Sequence, residues 1–238
     1  MKLNIQCLVM LVLLASCFGW SCSERPSATS QAGGGKSGAL FSIALSFPAG
    51  AYSQPEQRAN FVPQALRRIK SLQEVESAAA AGTPPRQPQS VVREYSAGKT
   101  ELYYSAVTPD YFRTLKIPLL KGRQFEELDG PNTPAIVILS ESTARRMFPD
   151  EDPIGKRLSF SEREGRTRWA EVVGVVADES ESSTRARTEI YRPYSQDPDA
   201  AVELIVHARS NPSTLAERLR DEILAVDKQV TVSKVQTR

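Results

Sequence analysis

Beyond residue 22 the chain contains no cysteine, and His207 is its single histidine. Neither a disulfide framework nor a cysteine metal cluster can hold the body together, so the fold must rest on buried apolar side chains and backbone hydrogen bonds. The material is there: apolar residues make up 40% of the 238 and charged residues 24%, close to the globular average. Only carboxylates are left to build a metal site, and no Asp/Glu group has calcium-loop spacing. No metal or cofactor is expected. A net charge of +2 supplies no basic face, so nucleic acid is not an expected partner.

The three cysteines, Cys7, Cys17 and Cys22, crowd into an N-terminal segment with its own logic. Lys2 is followed by the apolar run Cys7 to Ala15 (CLVMLVLLA), the charged start and short apolar stretch of an export signal. The run is shorter than the roughly 20 apolar residues of a membrane-spanning helix. It ends in Leu14-Ala15-Ser16-Cys17, which resembles the lipobox of bacterial lipoproteins, where the peptide is cut before the cysteine and the thiol takes a diacylglyceryl group. The expectation is a signal peptide over 1–16, a lipid-anchored flexible linker over 17–40 with Cys17 as the lipidation site, and a location on the periplasmic face of a bacterial membrane. Ordinary secretion and a truncated membrane helix are the alternatives. Acyl chains contribute roughly 0.8 kcal/mol per buried CH₂, so two or more anchor stably. Ser23 to Gly38 (SERPSATSQAGGGKSG) has no apolar periodicity and reads as a tether reaching roughly 20–25 Å. Gly35-Lys36-Ser37 within it mimics the end of a phosphate-binding loop, but Ser30 stands where that loop needs glycine.

The body alternates strand-type and helix-type segments. Phe41 to Phe47 has period two and Val75 to Ala81 is short and apolar; between them Phe61, Val62, Ala65, Leu66, Ile69 and Leu72 recur at helical spacing, with the regular helix starting near Phe61 or kinked at Pro63. After the proline-rich Thr83 to Gln89, Val91 to Tyr95 and Glu101 to Val107 read as strands. Thr108 is placed to cap a helix over Pro109 to Leu115. Ala135 to Leu139 is a buried strand, and Ser140 caps Glu141 to Phe148. Arg157 to Phe160, Trp169 to Ala177, Thr188 to Tyr194 and Val202 to Ala208 follow as strands. Ser213 caps a helix through Val226, and Val230 to Val235 closes the chain as a strand. The predicted class is α+β: a split β-α-β (ferredoxin-like, porter-type) subdomain over 41–85 and 168–237, with a mixed α/β subdomain over 90–162 inserted between its halves.

The segments Ala106-Val107-Thr108-Pro109-Asp110-Tyr111-Phe112-Arg113-Thr114-Leu115 and Ile117-Pro118-Leu119-Leu120-Lys121-Gly122-Arg123-Gln124-Phe125 closely resemble a run of the MacB-like periplasmic core domains of ABC transporter permeases. So do Ile136 to Glu141, Ala144 to Pro149, Asp150-Glu151-Asp152-Pro153-Ile154-Gly155-Lys156-Arg157-Leu158 (Asp150 replacing the usual glycine), Glu171 to Val176 and Glu189 to Tyr194. The resemblance covers about Phe41 to Thr237. It implies a non-catalytic domain outside the cytoplasmic membrane that passes ATP-driven motion to other proteins. The implied partners are an ABC permease with its ATPase, or a periplasmic adaptor. No long apolar segment follows Thr237 and no ATPase is present, so the expectation is a detached or accessory domain of an efflux-type permease. A truncated permease fragment without independent function and a periplasmic small-molecule or lipid-binding lipoprotein are the alternatives.

Individual residues add no catalytic expectation. Tyr111, Phe112 and Leu115 read as packing, Gly122-Arg123 as a turn, Asp150-Glu151-Asp152 as a solvated loop and Arg145-Arg146 as a solvated helix face. His207 reads as structural. Ser140 and Ser195 lack the context of a nucleophilic serine, and one histidine leaves no hydrolytic triad.

Overall fold

Strand β1 (Ala39–Ser46) buries Ala39, Phe41, Ile43 and Leu45 while Ala44 and Ser46 face solvent, the period-two pattern of a strand with one face on a core. The computed structural model describes residues 38–82, 89–93, 99–161, 167–179, 190–209, 214–233 and 235–237. The expected signal peptide, Cys17, most of the linker, the boundary over 83–88 and the Ser213 cap lie outside the described residues.

Helix α1 (Pro55–Lys70) begins earlier than the spacing of its apolar residues predicts and runs through Pro63 without a break. Pro55 occupies the first turn, where its missing N–H costs nothing, and the Gln54 amide donates to Gln57 Oε1 at 3.0 Å. Pro63 removes one internal hydrogen bond, but the stripe of Phe61, Val62, Ala65, Leu66 and Ile69 is buried across it. Burial of five apolar side chains, each worth roughly 1–3 kcal/mol, outweighs one helical bond.

The chain continues through β2 (Val75–Gly82), β3 (Gln89–Arg93), β4 (Lys99–Leu102), β5 (Tyr104–Val107), α2 (Tyr111–Thr114), β6 (Leu119–Gly122), β7 (Ile136–Ser140), α3 (Glu141–Met147), β8 (Arg157–Ser161), β9 (Thr167–Val176), β10 (Ile190–Pro193), β11 (Ala201–Ala208), α4 (Leu215–Leu224), β12 (Thr231–Val232) and β13 (Gln236–Thr237). All strands join one mixed sheet in the order β12-β1-β11-β2-β5-β10-β7-β9-β8-β3-β4, with β13 on β1 and β6 on β9. The architecture is α+β, one sheet carrying four helices. Pairing is antiparallel except between β5 and β10 and between β7 and β9.

Three apolar clusters follow from this order. In the first, α1 and α4 cover one face of β1, β11 and β2. On the opposite face of the same strands, Ala79, Ala81 and Ile205 meet Tyr111, Phe112, Phe125 and Tyr191. The remaining cluster joins β7, β8 and β9 to Ala144, Met147 and Phe148 of the α3 region. The strand around Trp169 pairs with β6, β7 and β8. Its side chains Ala170, Val172 and Val175 belong to the cluster under α3.

Several elements differ from the expectation. The strand expected over 101–107 is two strands separated at Tyr103: β4 pairs with β3, whereas β5 pairs with β2 and β10. Thr108 does not cap α2; its hydroxyl accepts the Ala80 amide at 2.9 Å and its own amide donates to the Ala80 carbonyl at 3.0 Å. Tied to β2 in this way, it leaves α2 one turn long, starting at Tyr111. The closing strand is divided into β12 and β13, bridged by the Ser233 amide donating to the Ala44 carbonyl at 2.9 Å. Ser140 does cap α3, accepting the Thr143 amide.

Gly122-Arg123 is a strand end rather than a free turn. Gly122 has φ 69° and pairs with Gly174 across β6 and β9. A Cβ on Gly122 would lie 2.1 Å from the Val173 carbonyl oxygen, and one on Gly174 would lie 2.3 Å from the Arg123 carbonyl oxygen. Both obstacles are backbone, so neither side can yield without moving a strand. Gly174→Ala is therefore expected to destabilise the domain by about 1–3 kcal/mol, while Gly155→Ala, where no atom lies within 4 Å of the added carbon but φ is 78°, pays only the conformational part. Urea denaturation of both variants checks the order; equal losses would contradict the close-approach argument.

Candidate functional site

The densest run of motif residues, 106–125, converges on the junction between β2 and the β5–β10 pair. α2 presents Phe112 edge-on to Tyr191 (centroids 4.9 Å apart) and at 6.3 Å from Phe125. Tyr111, beside them, sends its hydroxyl to Glu179 Oε1 at 2.9 Å, and Tyr191 donates to the same oxygen at 2.8 Å. Burial first, and then the charge of Glu179, push the Tyr191 hydroxyl well above its ordinary pKa. It therefore stays a neutral donor at any physiological pH, and two fully buried phenols are satisfied by one carboxylate.

Asp110, just before α2, pairs with Lys70 of α1 and with Arg113 at 2.9 Å. Burial would raise its carboxyl, but the hydrogen bond and charge of Lys70 and the nearby Arg113 prevail and lower it. The pair ties the helix on one face of the sheet to the turn on the other.

A second buried polar centre is Arg192 on β10, which is only 7% exposed. Its guanidinium sits 4.1 Å from the Phe160 ring centre and 4.6 Å from that of Tyr104, and donates to Asp197 at 2.8 Å. A cation held between two aromatic faces and one carboxylate is compensated on every side. A third centre is Asp129. Arg123 clamps it with two hydrogen bonds of 2.8 and 2.9 Å, and the Glu126 amide donates at 2.7 Å. Burial acts to raise this carboxyl too; the Arg123 and Glu126 hydrogen bonds with the Arg123 charge outweigh it and hold it below the ordinary range.

The sequence-predicted residues are scattered over the fold. His207 Nδ1 lies 3.1 Å from Glu76 Oε2. Ser195 donates to the Asp129 carbonyl at 2.5 Å. Arg145 pairs with Glu141 one helical turn away, Lys121 approaches Asp152 at 3.5 Å, and Lys156 pairs with Glu151 at 2.8 Å. Among the described residues no three His, Cys, Asp or Glu side chains are grouped to hold a metal ion, and no helix is long and apolar enough to cross a membrane. Glu179, Asp129 and Arg192 were not singled out in the sequence. Their partners lie on other elements or across loops, and no local pattern marks them.

Four large apolar side chains are exposed among the described residues: Leu119, Leu120, Leu128 and Trp169. Leu119 and Leu120 on β6 are 37% and 45% exposed. Leu120 is the extra residue of an irregularity in the β6–β9 register. It lines an open groove of about 390 Å³ with Ala144, Phe148, Pro153 and Val175.

An α+β domain built on one mixed sheet is the class this geometry defines. The chain belongs to the MacB-like periplasmic core domain family, whose model matches residues 9–234. Curated relatives include the macrolide export ATP-binding/permease protein MacB of Aggregatibacter actinomycetemcomitans, 31% identical over 106 residues that make up 44% of this chain and 15% of that protein. The MacB of Mannheimia succiniciproducens is 27% identical over 96 residues, 40% of this chain and 14% of the relative. The aligned part thus spans a small fraction of these relatives' length. Among solved structures, the periplasmic region of MacB from Actinobacillus actinomycetemcomitans superposes with a TM-score of 0.56 at 18% identity, covering 84% of this chain and 89% of that one. The extracellular domain of the noncanonic ABC-type transporter YknZ from Gram-positive bacteria gives 0.52 at 17% identity, covering 82% and 99%. The likeness to these structures is one of fold.

The Asp129 clamp predicts a pH-dependent contribution. A carboxyl whose folded pKa is lowered stabilises above its unfolded value of about 3.9, and the contribution is lost as pH falls through the folded value. Asp129→Asn is expected to cost about 1.5–3 kcal/mol at pH 7. The gap from wild type should shrink as the pH drops below about 3.9. Chemical denaturation at pH 7 and pH 3 measures both.

Proposed function

We propose that this chain serves as an extracytoplasmic domain of, or accessory to, an ABC-type export permease, acts through protein contacts rather than catalysis, and is held at the membrane by lipid on Cys17. The observation that carries the reading is the family match over residues 9–234. The non-catalytic part is supported by where the polar groups go. The two buried tyrosines, Arg192, Asp129 and Ser140 are each engaged by neighbouring residues, which leaves them in structural roles. The relatives bearing the name macrolide export ATP-binding/permease protein point to a permease and its ATPase as partners. A working environment outside the cytoplasmic membrane agrees with the export-type N-terminus.

Two measurements test this. Intact-mass spectrometry of the protein from bacterial membranes is expected to show cleavage before Cys17 plus acyl chains, and Cys17→Ala to abolish that mass. An uncleaved chain, or a cleaved one without acyl chains, would sink the lipid anchor. Photo-crosslinking from an introduced residue at Leu120, in cells that also express a neighbouring ABC permease, is expected to give a permease adduct. Its absence from Leu120 and from positions on the opposite face of the sheet would count against the partner reading.

A further inference from the structure

We draw no further inference here: the strongest candidate, the apolar groove of about 390 Å³ between the β6 edge and α3, is rimmed by Lys121 and Arg145 together with Glu141 and Glu151, and nothing in the structure shows what covers it.

Discussion

Strand β2 is covered on both faces, and the rest of the structure is arranged around that fact. Ala78 and Ala80 lie under α1, Ala79 and Ala81 lie against the aromatic group of α2, and all four are fully buried. A strand buried on both sides reads as an unbroken apolar run. Here the run must also be small, because helices approach from both directions in close-packed contact. Larger side chains at these positions would push α1 or α2 away from the sheet. Through β2 the cluster under α1 and α4 and the aromatic cluster of α2 share one layer of backbone.

The polar interactions reinforce the same junction. Thr108 is bonded to Ala80 in both directions, Asp110 joins Lys70 of α1 to Arg113 of α2, and Glu179 collects the hydroxyls of Tyr111 and Tyr191. Each of these pairs spans two elements, so the short α2 is held from three sides although one turn of helix has little stability alone. Arg192 and Asp129 perform a similar service farther along the sheet, where charge is compensated by aromatic faces in one case and a guanidinium fork in the other.

Most elements were legible in the sequence because apolar periodicity reports burial directly. Ala135 to Leu139, Trp169 to Ala177 and Val202 to Ala208 appear as strands within a residue or two of their expected limits. The Ser140 cap was readable from a serine preceding a helical stretch. What was not legible depended on partners distant in sequence. The break at Tyr103 arises because the two sides pair with different strands, Thr108 is drawn from capping by the Ala80 backbone, and β6 exists only because β9 lies beside it. The family resemblance was carried by residues that prove to be mainly structural, such as Phe112, Gly122 and Gly174.

The position of β1 has a consequence for how the domain assembles. Its register partners are β11, β12 and β13, on residues 201–208, 231–232 and 236–237. Both edges of this apolar strand thus wait for segments far later in the chain, so contacts of high sequence separation dominate closure of this core and slow folding. Were this region threaded through a membrane, β1 and α1 would emerge unable to complete their core until β11 and the strands after it had followed. Until then β1 would offer two unpaired edges to other chains.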